Sequence, residues 1–232
     1  MTSSNPTASV SAAAHEASRD AAAFESWFRL HSLDEARDSD TAPLTLYRDC
    51  LMHGNQQLAE KFTRGVSVPV LIHARSWLVD QLLRRAWPLF TGSAEDSLAL
   101  VAVGGYGRSE LMPGSDIDLL VLLPDADNQQ YDHKITQLLT FLWDIGLEVG
   151  HSVRSIDDCV EQSLADITVV TNLMEARLLA GSASLFQRMQ QRTGPSEIWS
   201  SRDFFEVKHE EQRARHHRYH NTAYNLEPNI KE

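Results

Sequence analysis

The chain has 232 residues, of which 42% are hydrophobic and 23% charged, and its formal net charge at pH 7 is −11. This composition is typical of a globular protein with a substantial core. The acidic balance argues against a protein that coats nucleic acid or an anionic membrane by electrostatic attraction. No apolar run approaches the roughly 18 residues of a membrane span. Two isolated cysteines favour a reducing cytoplasmic location.

The N-terminal part of the chain is predicted to be a tail followed by helices. Residues 1–22 are small and polar and lack the basic and apolar segments of a signal peptide, so we expect a disordered tail. Residues 23–92 are expected to form a helical lead-in. Within it, the apolar residues after Pro69 recur on one helical face, which predicts a helix that packs against the core.

The middle of the chain, residues 93–155, is predicted to be the core domain. A short apolar run ends at two glycines, a second apolar run follows, and a helical segment and a third strand candidate complete it. Strand, turn, strand, helix and strand predict a small mixed β-sheet. Residues 156–232 are expected to form a helical region, with helices to about Tyr219 and an extended tail, TAYNLEPNIKE, at the end. We therefore expect an α+β fold, with a small mixed sheet, a helical lead-in and a helical C-terminal half.

The stretch GGYGRSELMPGSDIDLLVLLPD, residues 104–125, carries the candidate chemistry. Residues i and i+2 of a strand point to the same face, so Asp116 and Asp118 are expected to lie side by side at the start of the second strand. Two carboxylates that close are costly to keep ionised without a cation. Mg²⁺ or Mn²⁺ would resolve the conflict, because such ions are bound by one or two carboxylates together with substrate phosphates.

The residues before the acid pair are predicted to hold a nucleoside triphosphate. Gly104 and Gly105 lack a Cβ, so their backbone N–H groups can approach a phosphate closely. Arg108 would add positive charge to the phosphate site, and Ser115 precedes the acid pair. A Gly-Gly pair alone is usually a turn, and Asp-x-Asp alone is usually a solvated strand end. Their conjunction before a strongly apolar strand favours a site for a metal–nucleoside triphosphate.

This stretch resembles the nucleotidyltransferase signature of the DNA polymerase beta superfamily. In detail the chain resembles the bifunctional uridylyltransferase/uridylyl-removing enzymes, which modify the PII nitrogen regulatory protein. Three further stretches resemble the same family: LEVGHSVRSIDDC (147–159), ADITVVTNLMEARLLAG (165–181) and HHRYHNTAYNLEPNIKE (216–232). The resemblance implies UTP as the nucleotide donor and a tyrosine of PII as the acceptor.

The resemblance also implies a third carboxylate from a neighbouring strand. Glu148 is the candidate, because it opens the third predicted strand, and Asp144 and Asp166 are weaker rivals. His151 and Arg154 are candidates for contacts with the triphosphate or the partner. Each of these residues also has an ordinary explanation as a surface or packing residue.

The sequence departs from the family pattern in two respects. Glycine is expected where Ser109 stands, which loosens the turn but removes no ligand. Family members continue into a metal-dependent phosphohydrolase domain and two ACT domains, and we expect both to be missing from these residues. Two alternatives stay open: a nucleotidyltransferase with another acceptor, such as RNA or a small molecule, and a non-catalytic regulatory domain.

Overall fold

The computed structural model of the chain describes residues 22–28, 30–35, 43–125 and 129–218. The predicted tail lies outside these ranges except for its last residue. The helices are α1 His31–Glu35, α2 Pro43–Thr63, α3 Val68–Thr91, α4 Gly104–Gly107, α5 Asp132–Asp144, α6 Ile156–Ala165, α7 Ile167–Met174, α8 Ala183–Arg192, α9 Pro195–Ile198 and α10 Ser201–Arg218. Short 3-10 helices follow α3 and precede α5. No helix in the described part of the chain combines the length and the apolar composition that a membrane crossing requires.

One four-stranded mixed sheet forms the centre of the molecule. Its strands are β1 Ala99–Ala102, β2 Ile117–Leu123, β3 Val149–Ser155 and β4 Arg177–Gly181. Their spatial order is β3-β2-β1-β4, in which β2 and β3 are parallel while β1 is antiparallel to both of its neighbours. The predicted α+β fold with a small mixed sheet is confirmed.

The fourth strand corrects the prediction that the chain is helical from Ser155 to about Tyr219. Arg177–Gly181 pairs antiparallel with β1, with Ala99 opposite Gly181. Arginine, leucine and alanine in this stretch all favour a helix when the segment is considered alone. The free edge of β1 offers backbone hydrogen bonds that override this weak local preference. The core sheet therefore extends beyond residue 155.

The sheet is covered by helices on both faces. The alternation of strand side chains sends Ile117, Leu119 and Val121 of β2 into a core shared with the N-terminal helices and α5. Leu120 and Leu122 point the other way, into a core completed by residues of α6, α7 and α8. Both faces of β2 are buried, which explains why its sequence is continuously apolar. The predicted boundaries of the core domain, after residue 92 and at residue 155, stay predictions.

Candidate nucleotidyl-transfer site

The glycine turn connects β1 to the loop that leads into β2. Gly104 has a φ of +59°, a conformation that disfavours side chains with a Cβ, and residues 104–107 form one short helical turn. The amide of Gly107 donates to the carbonyl of Val103 at 3.0 Å, and that of Glu110 donates to the carbonyl of Gly105 at 3.2 Å. The turn thus brings the chain back across the end of β1.

The two candidate aspartates lie where this loop enters β2. Asp116 precedes the strand, Asp118 is its second residue, and both side chains are exposed. A Cβ placed on Gly150 of the neighbouring strand would lie 2.9 Å from Oδ1 of Asp118. A Cβ on Gly104 would lie 3.4 Å from Oδ2 of the same carboxylate. Glycine on two sides therefore leaves space around the Asp118 carboxylate.

Glu148 lies next to Asp116 in the parallel pair. The amide of Ile117 donates to the carbonyl of Glu148 at 2.8 Å, and Ile117 pairs with Val149 in the register. Asp116 and Glu148 also line the same shallow surface depression. The rival Asp166 caps α7 through Thr168, whose amide donates to Oδ1 of Asp166 at 2.8 Å. The structure therefore places Glu148 beside Asp116 at the entrance of the sheet, whereas the Asp166 carboxylate caps a helix.

The two aspartates suit a Mg²⁺ ion that is bound partly by protein carboxylates and partly by waters and phosphates. Within the described ranges, no group of three or more His, Cys, Asp and Glu side chains is arranged to hold a metal ion. Mg²⁺ is commonly bound by one or two carboxylates together with waters and substrate phosphates. Two aspartates at a strand entrance, with the space that Gly104 and Gly150 leave at Asp118, suit an ion that arrives with its nucleotide.

Arg108 lies at the edge of the site and forms ion pairs with Glu110 and Glu175. Its Nε atom donates to Oε2 of Glu110 at 3.0 Å and its Nη1 atom donates to Oε2 of Glu175. The hydrogen bond that Arg108 donates to Glu110 and the charges of both glutamates raise the pKa of Arg108. Gly105 lies beside this group, since a Cβ there would be 3.6 Å from Nη2 of Arg108. Ser115 is half-buried in the loop just before the acid pair.

A buried polar cluster anchors the glycine turn from behind. Asp80 of α3 is only 6% exposed. It accepts a hydrogen bond from the Tyr106 hydroxyl at 2.7 Å, and both of its oxygens accept from the Arg177 guanidinium. Arg177 also donates to the backbone carbonyls of Tyr106 and Gly107 at 3.2 Å. Burial, with the charge of Asp80 as a second cause, holds the pKa of Tyr106 well above its usual value.

Gly107 completes this anchoring by close backbone packing. A Cβ at this position would lie 2.2 Å from the carbonyl oxygen of Glu175 and 3.1 Å from that of Ala102. Both neighbours are backbone atoms, one at the end of β1 and one just before β4, so they cannot rotate away. The sequence pattern indicates Gly104 and Gly105, but nothing in it indicates Gly107, Gly150 or the Asp80 cluster.

The third strand separates its two candidate residues between opposite faces. The imidazole of His151 lies edge-on against the indole of Trp143, with ring centroids 5.7 Å apart. Arg154 is an odd number of residues away, so it lies on the opposite face, which Gly150 and Asp118 share. Both residues border a cleft beside Asp118. The contact with Trp143 supports a packing role for His151.

Comparisons with known proteins agree with this geometry. The family described as "Putative nucleotidyltransferase DUF294" matches residues 54–151, which include the glycine turn and both aspartates. The family described as GlnD PII-uridylyltransferase matches residues 203–232.

Curated relatives match most of the chain. A "Bifunctional uridylyltransferase/uridylyl-removing enzyme" of Pseudomonas fluorescens strain Pf-5 is 50% identical over 190 residues, which are 82% of this chain and 21% of the relative. Enzymes of the same name from Pseudomonas putida W619 and Ectopseudomonas mendocina are 50% and 49% identical, with the same coverage. The chain thus spans about a fifth of the length of these relatives. Over that part, it is a homologue of the bifunctional uridylyltransferase/uridylyl-removing enzymes.

Proposed function

We propose that this chain is a metal-dependent nucleotidyltransferase that moves UMP from UTP to a tyrosine of a PII signalling protein. The observation that carries the proposal is the setting of Asp118. This carboxylate is exposed at the start of β2, and glycines on two sides leave space at it. The names of the relatives supply the nucleotide and the acceptor class.

In this proposal, Asp116 and Asp118 hold Mg²⁺ or Mn²⁺ against the triphosphate. The bound cation supplies neutralising charge for the phosphates and for the charge that develops during transfer. The backbone of Gly104 and Gly105, with Ser115 from the loop, positions the phosphates. Arg108 contributes positive charge from the rim while it remains oriented by its two glutamate partners.

The nucleophile belongs to the acceptor. The tyrosine hydroxyl attacks the α-phosphorus, a new oxygen–phosphorus bond forms, and the bond to the β-phosphate breaks so that pyrophosphate leaves. Glu148 is proposed as the residue that accepts the hydroxyl proton or orients the metal, because it lies next to Asp116 in the sheet. No nucleophile of the protein is needed for this chemistry.

The partners and location follow the same proposal. The net charge of −11 favours a protein acceptor over RNA, and we propose no contact with nucleic acid or membrane. Both described cysteines are buried thiols, and burial raises the pKa of each to about 11. Unreactive thiols of this kind suit the reducing cytoplasm, which we propose as the location.

The test is transfer from α-labelled nucleotide to PII. The chain is incubated with Mg²⁺, a PII protein and labelled UTP, CTP, ATP or GTP in turn, and PII with phenylalanine at its acceptor tyrosine is the control. We expect label on PII from UTP alone, with release of pyrophosphate and no label on the control. Label from another nucleotide would refute the UTP assignment. Absence of transfer from all four nucleotides would favour a non-catalytic domain.

A further inference from the structure

A cleft of about 350 Å³ lies beside Asp118, between the β2–β3 edge of the sheet and α7. Its sheet wall comes from one face, because the register pairs Asp118 with Gly150 and Leu122 with Arg154, and alternate residues share a face. Helix α7 contributes Asn172 to the opposite wall. The volume lies within the range of pockets that enclose small ligands.

Two polar side chains mark the two ends of this cleft. The Asn172 Oδ1 atom lies 3.8 Å from the point where a Cβ of Gly104 would stand, and Oδ2 of Asp118 lies 3.4 Å from the same point. Asn172 is therefore close to the proposed metal ligand. Arg154 follows Gly150 by four residues, which places its backbone roughly 13 Å further along β3.

Arg154 is half-buried, and its charge has no ion-pair partner within 4.0 Å among the described residues. Arg108 and Arg177, by contrast, each contact a carboxylate. A half-buried guanidinium beside an open cleft is a ready hydrogen-bond donor for a ligand. Val103 and Val169 give the same cleft an apolar surface.

Three of the proposed phosphate-binding residues, Gly105, Arg108 and Ser115, lie outside the cleft, whereas Gly104 lies at its Asn172 end. Gly105 faces the Arg108 side chain and the carbonyl of Glu110, at 3.6 and 3.7 Å from a Cβ position. Of the described residues, those that line the cleft do not include Gly105, Arg108 or Ser115. A nucleotide whose α-phosphate lies at Asp118 thus has its β- and γ-phosphates on one side and the cleft on the other.

We propose that this cleft binds the nucleoside part of the nucleotide, with Asn172 hydrogen-bonded to the ribose and Arg154 to a keto oxygen of the base. The proposal rests on the proposed function. A guanidinium donates hydrogen bonds and accepts none, so it suits the O4 atom of uracil and disfavours the amino group that cytosine carries at that position. Val103 and Val169 would pack against the base.

The experiment measures binding rather than transfer. Isothermal titration with Mg²⁺ compares UTP, CTP and inorganic tripolyphosphate on the unmodified chain, Asn172→Ala and Arg154→Gln. Each substitution is expected to weaken UTP binding about 10-fold, the size expected for loss of a good hydrogen bond. Arg154→Gln is also expected to lower the preference for UTP over CTP about 10-fold, because glutamine can accept as well as donate. Tripolyphosphate binding is expected to change less than about twofold, since Asn172 and Arg154 are proposed to contact only the nucleoside.

The matched control is Arg192→Gln, which removes the same charge from an exposed pair with Asp157. It is expected to leave all three affinities unchanged. If the unmodified chain binds UTP but both variants retain its affinity, or if Arg154→Gln weakens tripolyphosphate as much as UTP, the nucleoside assignment is overturned and the proposed function stands. If the unmodified chain binds neither UTP nor tripolyphosphate, both are overturned.

Discussion

Asp80 and Asp118 are both close to the glycine turn, and the surroundings of their charges differ. Asp80 is buried, and its two oxygens accept hydrogen bonds from Tyr106 and Arg177. Asp118 is exposed at a cleft, with glycines on two sides that leave space at its carboxylate. The first arrangement suits a charge that fixes the backbone, and the second suits a charge that receives a ligand. Substitutions at the two sites should therefore separate stability from activity.

The largest effect is expected from Arg177→Met, which leaves the Asp80 carboxylate buried without its main partner. Breaking a buried pair on one side typically costs about 3–5 kcal/mol of unfolding free energy. Because the Arg177 side chain is 26% exposed, we expect about 3 kcal/mol, measured by urea denaturation. Arg192→Met removes an exposed pair with Asp157 and is expected to cost less than about 1 kcal/mol. Equal losses in the two variants would contradict a structural role for the buried cluster.

Asp118→Asn is expected to lower transfer activity without lowering stability, which is the reverse of the effect expected for Arg177→Met. The amide keeps the size of the side chain but removes a proposed metal ligand, so transfer should fall at least about 100-fold. Without divalent cation, the melting temperature should hold or rise, because repulsion between Asp118 and Asp116 is relieved. Asp157→Asn, at an exposed position on α6, is the control and should leave transfer unchanged. Near-normal transfer by Asp118→Asn would remove the basis of the metal assignment.

The sequence indicated candidate ligand residues but not the buried cluster. The acid pair, the glycines and the apolar strand after them are local in the chain, so their pattern could be recognised, and their role stays a prediction. Three of the four strands were predicted from their own stretches of sequence. The ion pair of Asp80 with Arg177 joins residues 97 positions apart. Asp80 belongs to no motif, and the resemblance of residues 165–181 to the family gave Arg177 no role. No local pattern indicates which distant charge will compensate a buried aspartate.

The same reasoning explains why β4 and two of the glycines were missed. The stretch that forms β4 has helical composition, and only its pairing with β1 makes it a strand. Gly107 and Gly150 matter because of atoms from other segments, the Glu175 carbonyl and the Asp118 carboxylate. Such contacts become visible only when the chain is folded.

Two glycines of the turn, Gly107 and Gly105, should also differ in how much a substitution lowers stability. Gly107→Ala would place a Cβ 2.2 Å from the Glu175 carbonyl, so backbone segments must separate, and we expect a loss of about 2 kcal/mol in unfolding free energy. Gly105→Ala meets no atom closer than 3.6 Å, and its stability should change by less than about 0.5 kcal/mol. Thermal unfolding of the two variants measures the difference. If Gly107→Ala is as stable as the unmodified chain, the turn is not tightly packed against the segment that contains Glu175.

The smallest effect is expected at Ser109, where the resemblance predicted glycine. Its φ of +63° lies in the left-handed region, which costs a residue with a Cβ roughly 1–2 kcal/mol. Glycine removes this strain but loses about 0.5–1 kcal/mol through the greater freedom of the unfolded chain. Ser109→Gly should therefore raise the unfolding free energy by about 0.5 kcal/mol, or the melting temperature by about 1–2 °C.

Among the described residues, the hydrogen bonds of Ser109 involve its backbone. Its amide donates to the carbonyl of Tyr106 at 3.0 Å, and its own carbonyl oxygen lies 2.9 Å from Nδ1 of His73. Glycine keeps both groups, so transfer activity should be unchanged. Ser109→Ala is the matched variant, because it removes the hydroxyl and retains the Cβ, and it should show no gain in stability. An equal gain in both variants would mean that the hydroxyl group, and not backbone strain, limits stability at this position.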